Sequence, residues 1–390
     1  MNVMFLHEMG INPIAGGISR MTSVLSAGLK SKDVNTFYLS MIKVDGVEYD
    51  NNQFFFPDSE LPTANENSNY LIQFVKDKNI DILINQAAIS SIYRDLSFVV
   101  KHRGVKIISV IHNSLLTPII NFSALKENRI IDLGLSFLLP LTKNKLFISL
   151  LKNLYRFKYQ NHYKLLQKNS DRVILVSEKN IEEFLYMVNV KKSNKVIAIS
   201  NSFSLPEYQF KKNEKIKEVL WVGTPDFSIK RIDLALRVWG LIEESRSDWN
   251  LTILGDSPSL QKAKDLANKL NLSSVKFIGR QNPNDYYKRA SMLIMTSTTE
   301  SFGLVLVEAM HFGVVPFAFD SFPASKDIIK NEKSGFLIKS FDVNLYAKKI
   351  IELMEDSNKR HIIAQNSISK SKDFNLDIII KQWINLLNSI

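Results

Sequence analysis

Ser297–Pro316 reads STTESFGLVLVEAMHFGVVP, a loop, a helix and a strand in immediate succession. Thr298 and Thr299 suit the loop. Phe302–Phe312 is apolar, with Gly303 near its start and Gly313 at its stop, which predicts a short buried helix. Val314–Phe319 follows as a β-branched and aromatic run of strand length. That succession belongs to a parallel α/β sheet. Two carboxylates punctuate it. Glu300 falls just before the helix N-terminus, whose free N–H groups and positive dipole end favour phosphate. Glu308 lies two turns further on and can reach toward the same mouth. The bland reading of the pair is an amphipathic helix with a solvated glutamate near each end. The sharper one has one carboxylate holding sugar hydroxyls and the other a ribose, with a diphosphate between them at the helix end.

The alternation continues upstream. Strands are expected at Val219–Val222, Leu251–Leu254, Val275–Ile278 and Met292–Met295, with helices at Ile232–Glu244, Leu260–Leu270 and Pro283–Ala290. Before them NSFSLPEYQFKKNEKIKE, ending at Glu218, is polar and basic, contains Pro206 and reads as a linker. A second set precedes it: strands Val3–Leu6, Ile80–Asn85, Lys106–Ile111, Arg172–Val176 and Val196–Ile199, with a loop and helix over Gly16–Leu29. The fold class expected is α/β, with two Rossmann-like doubly wound domains facing across a cleft, residues 1–205 and 206–374. A chain of 390 residues is the right length for two. Residues 375–390 place Ile378, Ile379, Trp383, Leu386 and Leu387 at helical spacing, and this helix is expected to pack back on the first domain.

Composition narrows the chemistry. A hydrophobic content of 45% with 23% charged residues is that of an ordinary globular chain. With no cysteine, disulfides, thiolate metal sites and a cysteine nucleophile are excluded, and a reducing cytoplasm is allowed. MNVMFLHEMG has neither the basic start nor the apolar core of a secretory signal. No Asp-x-Asp pair, metal-spaced histidine pair, P-loop or Gly-x-Ser-x-Gly elbow occurs, so no metal ligands are assigned and no cofactor is expected. The net charge of +11 is uneven, and residues 101–200 carry an excess as large as that of the whole chain. Leu133–Lys168 has no acidic residue and interleaves lysines with Leu, Phe, Ile and Tyr. Pro140, Lys143 and Lys145 interrupt it too early for a membrane span. A basic amphipathic surface for an anionic leaflet is favoured over a solvated basic face, and nucleic acid is not expected.

Glu300, seven residues and Glu308, with a small-aromatic-Gly step after the first and Ala-Met after the second, resembles the donor-site signature of glycosyltransferase family 4. Supporting stretches are KRIDLALRVW, LTILGDSP, VKFIG and FGVVPFAFDSFPASKDII, similar to bacterial enzymes of capsule, exopolysaccharide or O-antigen synthesis. The resemblance implies a GT-B fold and a retaining, metal-independent transferase. It would move a hexose or N-acetylhexosamine from a UDP-sugar to a lipid-linked or polysaccharide acceptor, in the cytoplasm at the inner face of the membrane. Lys230 matches the family lysine that neutralises the diphosphate, while Thr224 stands where an arginine is expected; Arg231 is the neighbour that could compensate. Gly16 and Gly17 match the glycine loop over the phosphates, Gly223 the turn after the strand, and Phe302, Gly303 and Leu304 the helix end. Ile278, Gly279 and Arg280 match the base-reading loop, largely through backbone groups. Glu300 would orient sugar hydroxyls and Glu308 bind ribose. His112, at the carboxyl end of a strand, would contact the donor sugar, with His7 as the runner-up. The alternatives are another GT-B activity, an epimerase or phosphorylase, and a basic adaptor for membrane or nucleic acid.

Overall fold

The computed structural model describes residues 1–13 and 16–390. The chain folds into two units. The first comprises Met1–Asn113, Tyr155–Ser204 and Phe374–Ile390, and the second Ser114–Leu154 and Leu205–Asp373.

The first unit holds a parallel sheet of β1 (Asn2–Met9), β2 (Asn35–Ile42), β3 (Gln53–Phe55), β4 (Ile82–Asn85), β5 (Lys106–Ile111), β6 (Arg172–Leu175) and β7 (Val196–Ala198). Their order is β3-β2-β1-β4-β5-β6-β7. Both faces are covered, so alternate residues of β1 enter different cores: Val3 and Phe5 pack with the terminal helix, Met4 and Leu6 on the other side. The terminal helix Leu376–Asn388 lies against Gly17–Lys30, and a Cβ at Gly28 would overlap Ile380, which fixes glycine there by close approach.

The second unit repeats the plan with β8 (Ile216–Val222), β9 (Asn250–Leu254), β10 (Val275–Gly279), β11 (Ala290–Met295), β12 (Val315–Phe319) and β13 (Phe336–Ile338), in the order β10-β9-β8-β11-β12-β13. β11 and β12 are buried at every position, as their almost wholly apolar sequences require; the one polar residue, Ser291, donates to Ile216 O at 2.6 Å. Both strand orders are those of doubly wound Rossmann sheets. β2, β3 and β13 are additions to the strands expected from sequence.

Segment 114–154 departs from the expected 1–205 domain and belongs to the second unit. Polar contacts hold it there. Asn121 Nδ2 donates to the carbonyls of Thr298 and Ser321, each at 2.6 Å, and Asn128 Nδ2 to that of Phe227 at 2.6 Å.

Candidate functional site

In the second unit the chain order reverses between β8 and β11. Such a switch point opens a crevice beyond the carboxyl ends of the two strands, where ligands bind in doubly wound sheets. The loop after β8 is organised by Asp226. Its carboxylate accepts from the backbone N–H groups of Ser228 (2.7 Å), Ile229 (2.5 Å) and Lys230 (3.1 Å). The loop after β11 is bound to it: Thr298 N donates to Ile229 O at 2.7 Å, and Thr298 Oγ1 to Ser228 O at 2.8 Å. Two loops tied backbone to backbone can hold side chains to the tolerance that chemistry needs.

What they hold is an ion pair. Lys230 Nζ lies 2.6 and 2.8 Å from the two oxygens of Glu300, and Ser297 Oγ donates to the nearer oxygen at 2.6 Å. The Glu300 side chain is 11% exposed and that of Lys230 29%, so the pair is largely withdrawn from water yet reachable. The two residues assigned to phosphate and to sugar hydroxyls thus form one unit. The ammonium has three N–H groups, and Glu300 does not use them all.

Glycines shape the floor. Gly223, Gly255 and Gly279 end β8, β9 and β10, with Gly223 N bonded to Leu254 O and Gly255 N to Gly279 O. A Cβ at Gly255 would collide with the Gly223 carbonyl, so these strand ends meet through bare backbone. Ile278 and Arg280 are exposed at the edge strand. Gly303 takes a left-handed conformation, φ 97°, and starts the helix Leu304–His311, with Phe302 buried beneath it. Leu304 and Val305 in that first turn have N–H groups with no intrahelical acceptor. Glu308 is buried on the same helix, its Oε2 3.5 Å from the Tyr287 hydroxyl.

Arg231 does not stand in for the missing arginine at the exposed Thr224. Its guanidinium is 2% exposed and donates to both Asp233 oxygens at 2.9 Å, to Glu127 Oε2 at 2.9 Å and to Ala124 O at 2.8 Å. Four of its five N–H groups are committed to the fold.

In the first unit, Gly16 caps the helix Gly17–Lys30 with φ 75°, and both glycines are exposed; Ile14 and Ala15 of the same motif lie outside the described residues. His112 is buried at the end of β5. Its Nε2 is 2.6 Å from Gln86 Oε1, so the ring carries its proton there, and the buried Nδ1 meets no protein group. Burial, aided by nearby His7, pushes the imidazole down to about 3. At neutral pH His112 is therefore a fixed hydrogen-bonding group rather than a proton shuttle. Thr22, Asn201 and Trp383 share its cavity. His7 bonds through Nδ1 to Met9 O at 2.9 Å, and burial lowers its pKa too.

Asp226, Ser297, Asn121 and Gln86 are working parts that sequence reading missed. Asp226 alone carried a signal, since Pro-Asp before a polar run is turn chemistry.

Residues 207–370 match the family model described as glycosyl transferases group 1. An uncharacterized glycosyltransferase of Haemophilus influenzae is 31% identical to the chain over 220 residues, 56% of this chain and 61% of its own. From Campylobacter jejuni, the enzyme named GalNAc-alpha-(1->4)-GalNAc-alpha-(1->3)-diNAcBac-PP-undecaprenol alpha-1,4-N-acetyl-D-galactosaminyltransferase is 26% identical over 178 residues, 45% of this chain and 49% of its own. The chain thus spans less than two thirds of these relatives. The crystal structure of Anabaena HepE in complex with UDP and glucose superposes with a TM-score of 0.74 at 15% identity, covering 100% of each chain, and shares the fold. With its two Rossmann-like units the chain has the GT-B fold, and the Lys230–Glu300 pair lies within the matched residues 207–370.

Proposed function

We propose that the chain is a retaining, metal-independent glycosyltransferase that moves a hexose or N-acetylhexosamine from a UDP-sugar to a lipid-linked or polysaccharide acceptor in bacterial surface glycan synthesis. The observation that carries this reading is the Lys230–Glu300 pair, fixed at the switch point of a group 1 domain. Lys230 and the helix end at Phe302–Leu304 neutralise the leaving diphosphate, so its charge is met without a metal. Glu300 orients sugar hydroxyls and Glu308 binds ribose. The acceptor oxygen attacks the anomeric carbon from the face the diphosphate leaves, the carbon–oxygen bond to phosphate breaks, and the departing UDP takes the acceptor proton. The choice of UDP is supported by the UDP complex of HepE, and a lipid-linked acceptor by the undecaprenol-linked substrate named for the Campylobacter enzyme. Calorimetric titration with UDP, GDP and ADP tests the donor. UDP is expected to bind with a Kd on the order of micromolar, weakened at least about tenfold in Glu308→Ala. Binding of none by the folded protein would leave the adaptor reading; UDP binding with an isomerised sugar, or phosphate-dependent cleavage, in place of a longer glycan would favour the epimerase or the phosphorylase.

The same proposal places the protein in the cytoplasm, on the inner face of the membrane. Among the described residues no helix is long and apolar enough to cross a bilayer. Helix Lys145–Asn169 instead exposes Leu146 (81%), Leu150 (56%), Leu154 (55%) and Phe157 (77%), spaced three or four apart along one stripe. Lys145, Lys152, Arg156 and Lys158 flank it without a carboxylate, a pattern complementary to an anionic leaflet. Vesicles containing phosphatidylglycerol are expected to bind the protein, and pure phosphatidylcholine vesicles to bind it far less. Replacing Leu146 and Phe157 by serine should weaken binding about tenfold or more, at about 1.5–3 kcal/mol per fully buried side chain. Equal partitioning of the variant and the parent would remove the membrane from the proposal.

A further inference from the structure

The second unit has another cavity, of about 200 Å3, at the end of its sheet opposite Lys230 and Glu300. It opens where the chain enters β8, β11 and β12, beside Lys215, Ser291 and Gly313. The Lys230–Glu300 pair follows the other ends of β8 and β11.

Its lining is basic. Lys212, Lys215, Arg360 and His361 contribute to the wall and no carboxylate does. Each inner group is held in place by part of its polar capacity. Lys215 Nζ donates to Tyr287 O at 2.8 Å and lies 5.8 Å from the centre of the Phe210 ring, leaving further N–H groups on the ammonium. Arg360 is anchored through Nη1 alone, to Leu353 O at 2.7 Å and Met354 O at 3.1 Å, with its guanidinium over the Trp249 ring at 5.2 Å. The His361 ring stacks on Phe210 at 5.6 Å, and its buried Nδ1 has no hydrogen-bond partner. Gly313 lets the Phe210 ring close this wall, because a Cβ there would meet the ring at 2.5 Å.

Basic groups withdrawn from water lose hydration, a cost that an anion between them offsets; the nearby carboxylates Glu214 and Asp356 are not part of the lining. Lys215 shows that cost: burial pushes its amine down to about 7, against the opposing pull of Glu214. Glu214 itself is bonded to Lys211.

We propose that this cavity binds a small phosphate-bearing anion. Lys212, Lys215, whose charged form a bound anion favours, and a planar guanidinium match a phosphate dianion or a diphosphate. Ser357, the first residue of the helix Ser357–Ser371, adds a hydroxyl to the same wall, while the end of that helix is capped by Asp356, which accepts from Lys359 N at 2.8 Å. The inference stands apart from the donor site: a chain that bound no nucleotide would still bind phosphate here.

The test is calorimetric titration of the full chain with inorganic pyrophosphate, with inorganic phosphate as the weaker probe. Binding with a Kd below about 1 mM is expected. It should weaken at least about tenfold in Lys215→Gln and persist in Lys230→Ala. Because Lys215 also supports Tyr287, the second variant is Asn213→Asp, an exposed change that puts a negative charge among the lining residues. It too should weaken binding while leaving the melting temperature unchanged. Pyrophosphate binding that Lys230→Ala abolishes and both cavity variants retain would overturn the proposal, as would no binding at all.

Discussion

Lys230→Ala and Glu300→Gln are each expected to lower kcat/KM for the nucleotide sugar by about 10²–10³-fold, the usual loss when one electrostatic stabiliser of a transition state is removed. The contact at 2.6 and 2.8 Å makes a further demand. If lysine and glutamate act as one unit, the double variant should be little worse than the worse single, because the first change has already cost the second residue its position. The singles should differ in kind. Without Lys230 the diphosphate loses its cation both before and during bond cleavage, so KM rises and kcat falls. With Gln at 300 the ammonium keeps its charge and turns more fully to the phosphate, so KM holds while kcat falls through loss of the grip on the sugar. Steady-state kinetics on the four proteins decides this. Multiplying effects would separate the residues into independent roles. Wild-type turnover in either single variant would remove the pair from the site.

Sequence was most informative where burial on both faces leaves no choice of residue. The expected strands are largely apolar runs, and each appears within a residue or two at most ends of where it reads; Met9 and Ile216 are the boundary exceptions. β2, NTFYLSMI, carries the same composition and could have been read. β3 and β13, at three residues each, are too short for periodicity to register; β7, equally short, was legible only through the apolar run Val196–Ile199. The membership of segment 114–154 was not legible, because it depends on single amide donors such as Asn121 and Asn128, which leave no periodic trace. In the site, Lys230 and Glu300 were legible as types at the ends of elements. Their pairing across seventy residues was not, since it follows from β8 and β11 being neighbours. Lys230 and Arg231 are adjacent cations in sequence. Only the fold sends one to the crevice and the other inside.

That inward turn predicts the largest loss of stability. Arg231→Met should lower the unfolding free energy of the second unit by about 3–5 kcal/mol, the range for removing one partner of a buried ion pair. The loss arises less from the bonds broken than from what remains. The Asp233 side chain is 4% exposed and would keep a carboxylate with neither guanidinium bond nor water, whereas Glu127, 29% exposed, can turn to solvent. Backbone strain does not confuse the comparison, because Arg231 has φ 50° and unbranched methionine bears that conformation at similar cost. Replacing the charge on both sides, Arg231→Met with Asp233→Leu, should therefore restore most of the loss, since no buried carboxylate is then left unpaired. Trp221, Trp239 and Trp249 all lie in the second unit, so tryptophan fluorescence during denaturant unfolding reports mainly on it. A single variant within about 1 kcal/mol of the parent would mean that Asp233 finds other donors. A double variant as unstable as the single would place the loss in the contacts to Ala124 and Glu127, and so in the hold of segment 114–154 rather than in the buried charge.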